Sequence, residues 1–172
     1  MGARQAYPCL SILHCSVKLP IRLAEANRSV PMTDRPAGLP EEAEEISSVG
    51  YNRFVGPFYR LPDAEGGSVR RFAFLVAEKH MNAAGSVHGG MLMSFADFAM
   101  SQSARHGTQA TGGSTVSLNC DFVGPGRLHD VIEARVRISR RARTMVFLSG
   151  EFAAGDRLIL VATGLWKLVG GS

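Results

Sequence analysis

The chain has 172 residues, of which 45% are hydrophobic and 20% charged, and a net charge of +4. At roughly 150 residues per domain this is one domain with room for a tail, and the composition excludes a disordered chain, a collagen-like chain and a multi-domain machine. No apolar run reaches the ~18 residues needed to cross a bilayer. Three cysteines (Cys9, Cys15 and Cys120) are too few for a disulfide framework, so the expected location is a reducing cytoplasm.

Charge is unevenly placed. Residues 1–31 carry a net +3, residues 32–48 a net −4 and residues 49–172 a net +5. A mildly basic body suits an anionic, phosphate-bearing ligand. It lacks the dense Lys/Arg stripe with interleaved aromatics that nucleic-acid binding requires, so neither nucleic acid nor membrane is an expected partner.

The first 31 residues have no clear period and contain a single acid, Glu25. Their Arg-bearing, acid-poor character leaves a transit peptide open, but Met32-Thr33-Asp34-Arg35-Pro36 reads as an ordinary polar N-terminus preceded by an upstream extension. Cys9 and Cys15 lack metal-ligand spacing. Residues 1–48 are therefore expected to be an N-terminal extension, flexible or partly ordered, with a short acidic helix over 41–48. Residues 49–172 form the folded domain.

Phe58 to Leu61 predicts a first strand and Val69 to Glu78 a second, separated by the turn signal Gly66-Gly67. The segment from Gly89 to His106 is the one long helix. It carries Met91, Leu92, Phe95, Ala96, Ala99 and Met100, has no internal Gly or Pro past its first turn, and stops before Gly107. Four strands follow, over 114–123, 131–138, 144–152 and 157–169. The second alternates Ile132, Ala134, Val136 and Ile138 with charged residues. The last holds the unbroken apolar run Leu158 to Ala162, as expected of a strand covered on both faces. One helix cannot supply the crossovers of a parallel sheet. The pattern predicts an α+β fold, one long central helix wrapped by a five- to six-stranded antiparallel sheet.

Asp97 breaks the helix pattern. It lies between Ala96 and Phe98, and its i±3 and i±4 neighbours are Met93, Ser94, Met100 and Ser101, none of them a cation. At 100° per residue Gly90, Met93, Ser94, Ser101 and Ala104 share its face, while Leu92, Phe95 and Ala99 lie opposite. The bland reading is an acid in water on a half-exposed helix. The functional reading is a general base in a narrow cleft, where small Gly90, Ser94 and Ser101 leave room for a ligand. The turn entering the helix, Asn82 to Gly90, favours the second. A helix N-terminus presents unpaired N–H groups and partial positive charge, and glycines allow a substrate carbonyl to approach them. These are the ingredients of an oxyanion hole. The alternative use of Gly89-Gly90, a tight turn with His88 as cap or core residue, stays open at this level.

Asn82, His88-Gly89-Gly90 and Asp97 in this spacing, followed by Thr115-Val116-Ser117-Leu118-Asn119 and Pro125, resemble the hotdog-fold acyl-CoA thioesterases of the PaaI-like branch. The likeness covers roughly residues 50–169. It implies that Asp97 is the base or nucleophile toward the thioester, that the Gly89 N–H polarises its carbonyl, that His88 holds the loop, that Asn82 orients the carbonyl or the water, and that Thr115 helps position the water. It also implies a homodimer or homotetramer, with the His-Gly-Gly turn of one subunit facing the Asp of the other, and no cofactor beyond the CoA of the substrate. Arg140, Arg141 and Arg143 match phosphate geometry and lie where the family contacts CoA; a solvated basic turn is the plainer account. The five histidines form no metal-ligand set, and neither nucleotide-binding glycine motifs nor a G-x-S-x-G elbow occur. The expected activity is hydrolysis of an aryl- or short/medium-chain acyl-CoA to free acid and CoA. The rivals are a non-catalytic acyl-CoA-binding hotdog sensor and, less favoured because Gly-Gly-Met follows His88, a hotdog dehydratase.

Overall fold

The computed structural model describes residues 37–170. The expectations for residues 1–36, including Cys9, Cys15 and the Met32 start, lie outside the described residues. Seven strands form one sheet: β1 (Glu44–Glu45), β2 (Tyr59–Ala64), β3 (Val69–Leu75), β4 (Gly112–Phe122), β5 (Val131–Arg141), β6 (Met145–Ala154) and β7 (Arg157–Val169). Their spatial order is β1-β2-β3-β5-β6-β7-β4, and every pairing is antiparallel. Among the described residues there are two α-helices, the six-residue α1 (Gly50–Val55) and the 17-residue α2 (Gly89–Arg105). None of the described helices is long and apolar enough to cross a membrane.

The sheet wraps α2 because α2 is apolar over most of its circumference. Met91, Leu92, Phe95, Ala96, Phe98, Ala99 and Met100 are all buried. Phe95 is the hub. Its ring lies 4.7 Å from that of Phe74 on β3, 5.4 Å from Phe58 and 5.7 Å from Phe152 on β6. The helix ends at His106, after which Gly107 turns into the left-handed region at φ +68°, where a residue with a Cβ is strained.

The strand beyond the six expected is β1. Residues 41–48 form no helix: they turn, and Glu44 and Glu45 pair with Arg60 and Tyr59 of β2. The cause is packing. Leu39 and Ala43 close over Tyr59, Leu61 and Ala73, and the Ile46 N–H donates to the Phe58 carbonyl. The helical turn forms instead at Gly50–Val55. The run Leu158 to Ala162 also has a local explanation. A register shift beside Phe152 and Ala153 turns both Ile159 and Leu160 into the core, while Leu158 faces outward. Finally, Ala104 shares the Asp97 face by helical angle, yet it is fully buried as part of the main hydrophobic core.

Candidate active site

Asp97 sits half-buried in the middle of α2, on the face that carries Ser94 and Ser101. Thr115, on β4, donates its hydroxyl to Asp97 Oδ1 at 2.5 Å. Asp97 Oδ2 has no hydrogen-bond partner among the described residues and is free to accept one. The two residues predicted from different elements are therefore in direct contact.

The entry to α2 is built by side chains that satisfy the turn and leave one donor unused. Asn82 Oδ1 accepts from the Ala84 and Ser86 N–H groups, and Asn82 Nδ2 donates to Ser86 Oγ. Asn82 thus spends its amide on shaping the turn. His88 is the N-cap: its Nδ1 accepts from the Gly90 N–H at 2.9 Å. A Cβ on Gly90 would come within 3.0 Å of that nitrogen, so the glycine is needed for the imidazole to cap. The Met91 and Leu92 N–H groups bond the His88 carbonyl. The Gly89 N–H, at the first helical position, has no partner among the described residues. The ring of Phe122, at the end of β4, lies beside Gly89, 3.4 Å from where a Cβ would stand.

Gly89 and Asp97 are eight residues apart on the same helix. That separates them by about 12 Å, against the ~3 Å at which a reacting carbonyl must meet both oxyanion donor and attacking group. One chain holds both halves of the constellation but does not bring them together.

Ser94 Oγ donates to the Gly90 carbonyl and is met by Tyr51 Oη of α1 at 2.7 Å. Ser101 is half-buried on the Asp97 face. The three arginines part company. Arg141 directs its guanidinium to the carbonyls of Ala104 and His106, capping the C-terminus of α2, a role the sequence reading did not assign. Arg140 and Arg143 are exposed at the β5–β6 turn.

Residues 84–160 match the thioesterase superfamily. A Pseudomonas aeruginosa protein provisionally named an esterase, PA0474, is 32% identical over 115 residues, which are 66% of this chain and 84% of that protein. This chain belongs to the thioesterase superfamily. Its hotdog fold is shared with the Escherichia coli PaaI protein of the phenylacetic acid degradation operon (TM-score 0.61, 20% identity, 70% of this chain and 85% of that one). It is shared too with smu.793 of Streptococcus mutans, whose structure holds acetyl CoA (TM-score 0.59, 16% identity, 66% of this chain and 90% of that one). The chain is thus a hydrolase of the thioesterase superfamily.

In this thioesterase-superfamily chain the sequence reading missed one cluster beside the His-Gly-Gly turn. Tyr51, Phe54 and Val55 of α1 line, with His88, Gly90 and Met91, a half-open pocket of about 250 Å³. Its floor is tied down by two residues of the turn after β3. Lys79 Nζ donates to the carbonyls of Phe54 and Gly56, and His80 Nε2 to that of Val55. His80 is buried, with Nδ1 accepting from the Ala77 N–H, and burial holds its pKa below the usual imidazole value. No periodicity marks a helix of one and a half turns, so α1 was not readable from its own residues.

Proposed function

We propose that this chain hydrolyses an acyl-CoA thioester at a site completed by a second copy of itself. The observation that carries this reading is the pairing of a Thr115-held carboxylate with an uncommitted Gly89 N–H too far along the same helix to share its substrate. The open edge of β4 supplies the means of assembly. The strand is 11 residues long, pairs among the described residues only with β7, and leaves Val116 and Phe122 54% and 52% exposed. A long unpaired edge of this kind is a template for another strand. Twofold antiparallel pairing about Leu118 and Asn119 sets Phe122, beside Gly89, opposite Thr115 of the second copy, whose hydroxyl holds Asp97. In an isologous contact each such match occurs twice, giving two sites per dimer.

At each site the thioester carbonyl accepts from the Gly89 N–H at the positive end of α2. Asp97 Oδ2 takes a proton from water as the water oxygen bonds to the carbonyl carbon. The tetrahedral oxyanion then collapses, the C–S bond breaks, and Asp97 returns the proton to the departing thiolate. Thr115 holds Oδ1, which leaves Oδ2 as the oxygen that acts. His88 keeps the turn in shape while leaving Gly89 unused, and Asn82 acts through that turn. Arg140 and Arg143, both exposed, are the proposed contacts to CoA phosphates, while Arg141 is committed to the helix end.

Asp97→Asn is expected to lower kcat by ~10²-fold or more in a thiol-release assay, the range for loss of a catalytic base. A folded variant that retains full turnover removes Asp97 from the mechanism. Tight acyl-CoA binding by calorimetry with no thiol released from the unmodified chain would identify a sensor instead.

A further inference from the structure

We infer that α1 is the specificity wall of the enzyme: Tyr51 and Phe54 bound the pocket for the acyl group and set the size it admits. The inference rests on the thioesterase reading above and deepens it. The cavity opens directly beside His88 and Gly90, the residues that frame the Gly89 N–H. A carbonyl resting on that N–H has two substituents to place. On the reading above, the CoA arm runs toward Arg140 and Arg143, exposed at the β5–β6 end of the sheet. The acyl group is left with the nearest apolar space, which is this one.

Its dimensions suit a small occupant. A void of roughly 150 Å³ accepts benzene. At about 250 Å³ this half-open pocket has room for a ring or a medium-length chain. Its outer wall is unusual in being fixed yet exposed. Tyr51 and Phe54 are 62% and 75% exposed, and a six-residue helix has little stability of its own. Tyr51 is nevertheless held. Ser94 Oγ gives its one proton to the Gly90 carbonyl, so in the Tyr51–Ser94 contact the phenol is the donor. The ring is thereby tied to the first turns of α2, and Lys79 and His80 anchor the other end of α1. These contacts tie the wall to both the first turns of α2 and the turn after β3.

The test is a thiol-release panel of acetyl-, hexanoyl-, benzoyl- and dodecanoyl-CoA with the full chain and the variants Phe54→Ala, Phe54→Trp and Tyr51→Ala. Both sites are largely exposed, so the fold does not depend on them. Phe54→Ala and Tyr51→Ala are expected to raise the dodecanoyl-to-hexanoyl ratio of kcat/KM by ~10-fold, and Phe54→Trp to lower the benzoyl-to-acetyl ratio by a similar factor, as expected for a few methylenes in an apolar pocket. Turnover with ratios unchanged within about twofold in all three variants overturns the inference and leaves the thioesterase reading intact. Unchanged ratios with a lower sedimentation mass assign the α1 face to contacts between copies, and also overturn it. An unmodified chain that releases thiol from no member of the panel overturns the thioesterase reading, and this one with it.

Discussion

His80 shows how much one buried side chain settles near the site. Its Nδ1 accepts a backbone proton from Ala77 and its Nε2–H caps the Val55 carbonyl, so the neutral ring is fully satisfied. Charging it means breaking the Ala77 bond and burying a cation beside Lys79; burial dominates and holds the pKa below 6.5. The unfolded chain therefore binds this proton more readily than the folded one. The stability it contributes is complete above about pH 6.5 and is lost as the pH falls below that value. The thermal midpoint is expected to drop between pH 7.5 and 5.5, and the slope to flatten in His80→Gln; an equal slope in the variant refutes this role. Nothing adjacent in sequence marks His80, whose partners lie 25 residues upstream and three residues upstream. Asp97 was legible for the opposite reason: a charge without a helical partner contradicts its own local pattern. His88 and Gly89 were legible as a helix start, but the division of labour between them, one capping so that the other stays free, is visible only in three dimensions.

Elements were readable in proportion to their length and period. The 17-residue α2 and the alternating β5 declare themselves, and β7 spans the predicted range. The two-residue β1 and six-residue α1 do not, since tertiary contacts and not local preference create them. The acids at 41–45 suggested a helix because charge alone carries no period; Leu39 and Ala43 decide the matter by packing against β2 and β3. At β4 the decisive contact is with β7. A Cβ on Gly164 would press on the Trp166 ring and lie 2.8 Å from the Ser117 carbonyl oxygen of β4. Gly164→Ala must displace either the buried indole or the edge strand, at a cost of about 1–3 kcal/mol. A fall of several degrees in the thermal midpoint is expected. Trp166 is the chain's only tryptophan, so its fluorescence reports the displacement directly. An unshifted midpoint and emission would show that β4 is not braced through this contact.

At the scale of the whole molecule, strand order was the least legible feature. β4 follows α2 in the chain yet lies beside β7 at the sheet's far edge, a choice made by contacts some 40 to 60 residues apart. That placement leaves β4 open, and it sets the hardest test of a site shared between copies. Asp97→Asn removes the base and Gly89→Pro removes the oxyanion donor. Proline fits at 89: it is the first helical position, where no N–H bond is lost, and His88 already has the extended φ −62°, ψ 132° that precedes proline. Each variant alone is expected to be inactive. Mixed by unfolding and refolding together, half of the dimers pair one of each. In such a dimer one site has both lesions, while the other joins an intact Asp97 from one copy to an intact Gly89 from the other. Random pairing therefore restores about a quarter of native activity. A site contained within one chain gives no recovery at all, because every chain in the mixture lacks one of the two groups.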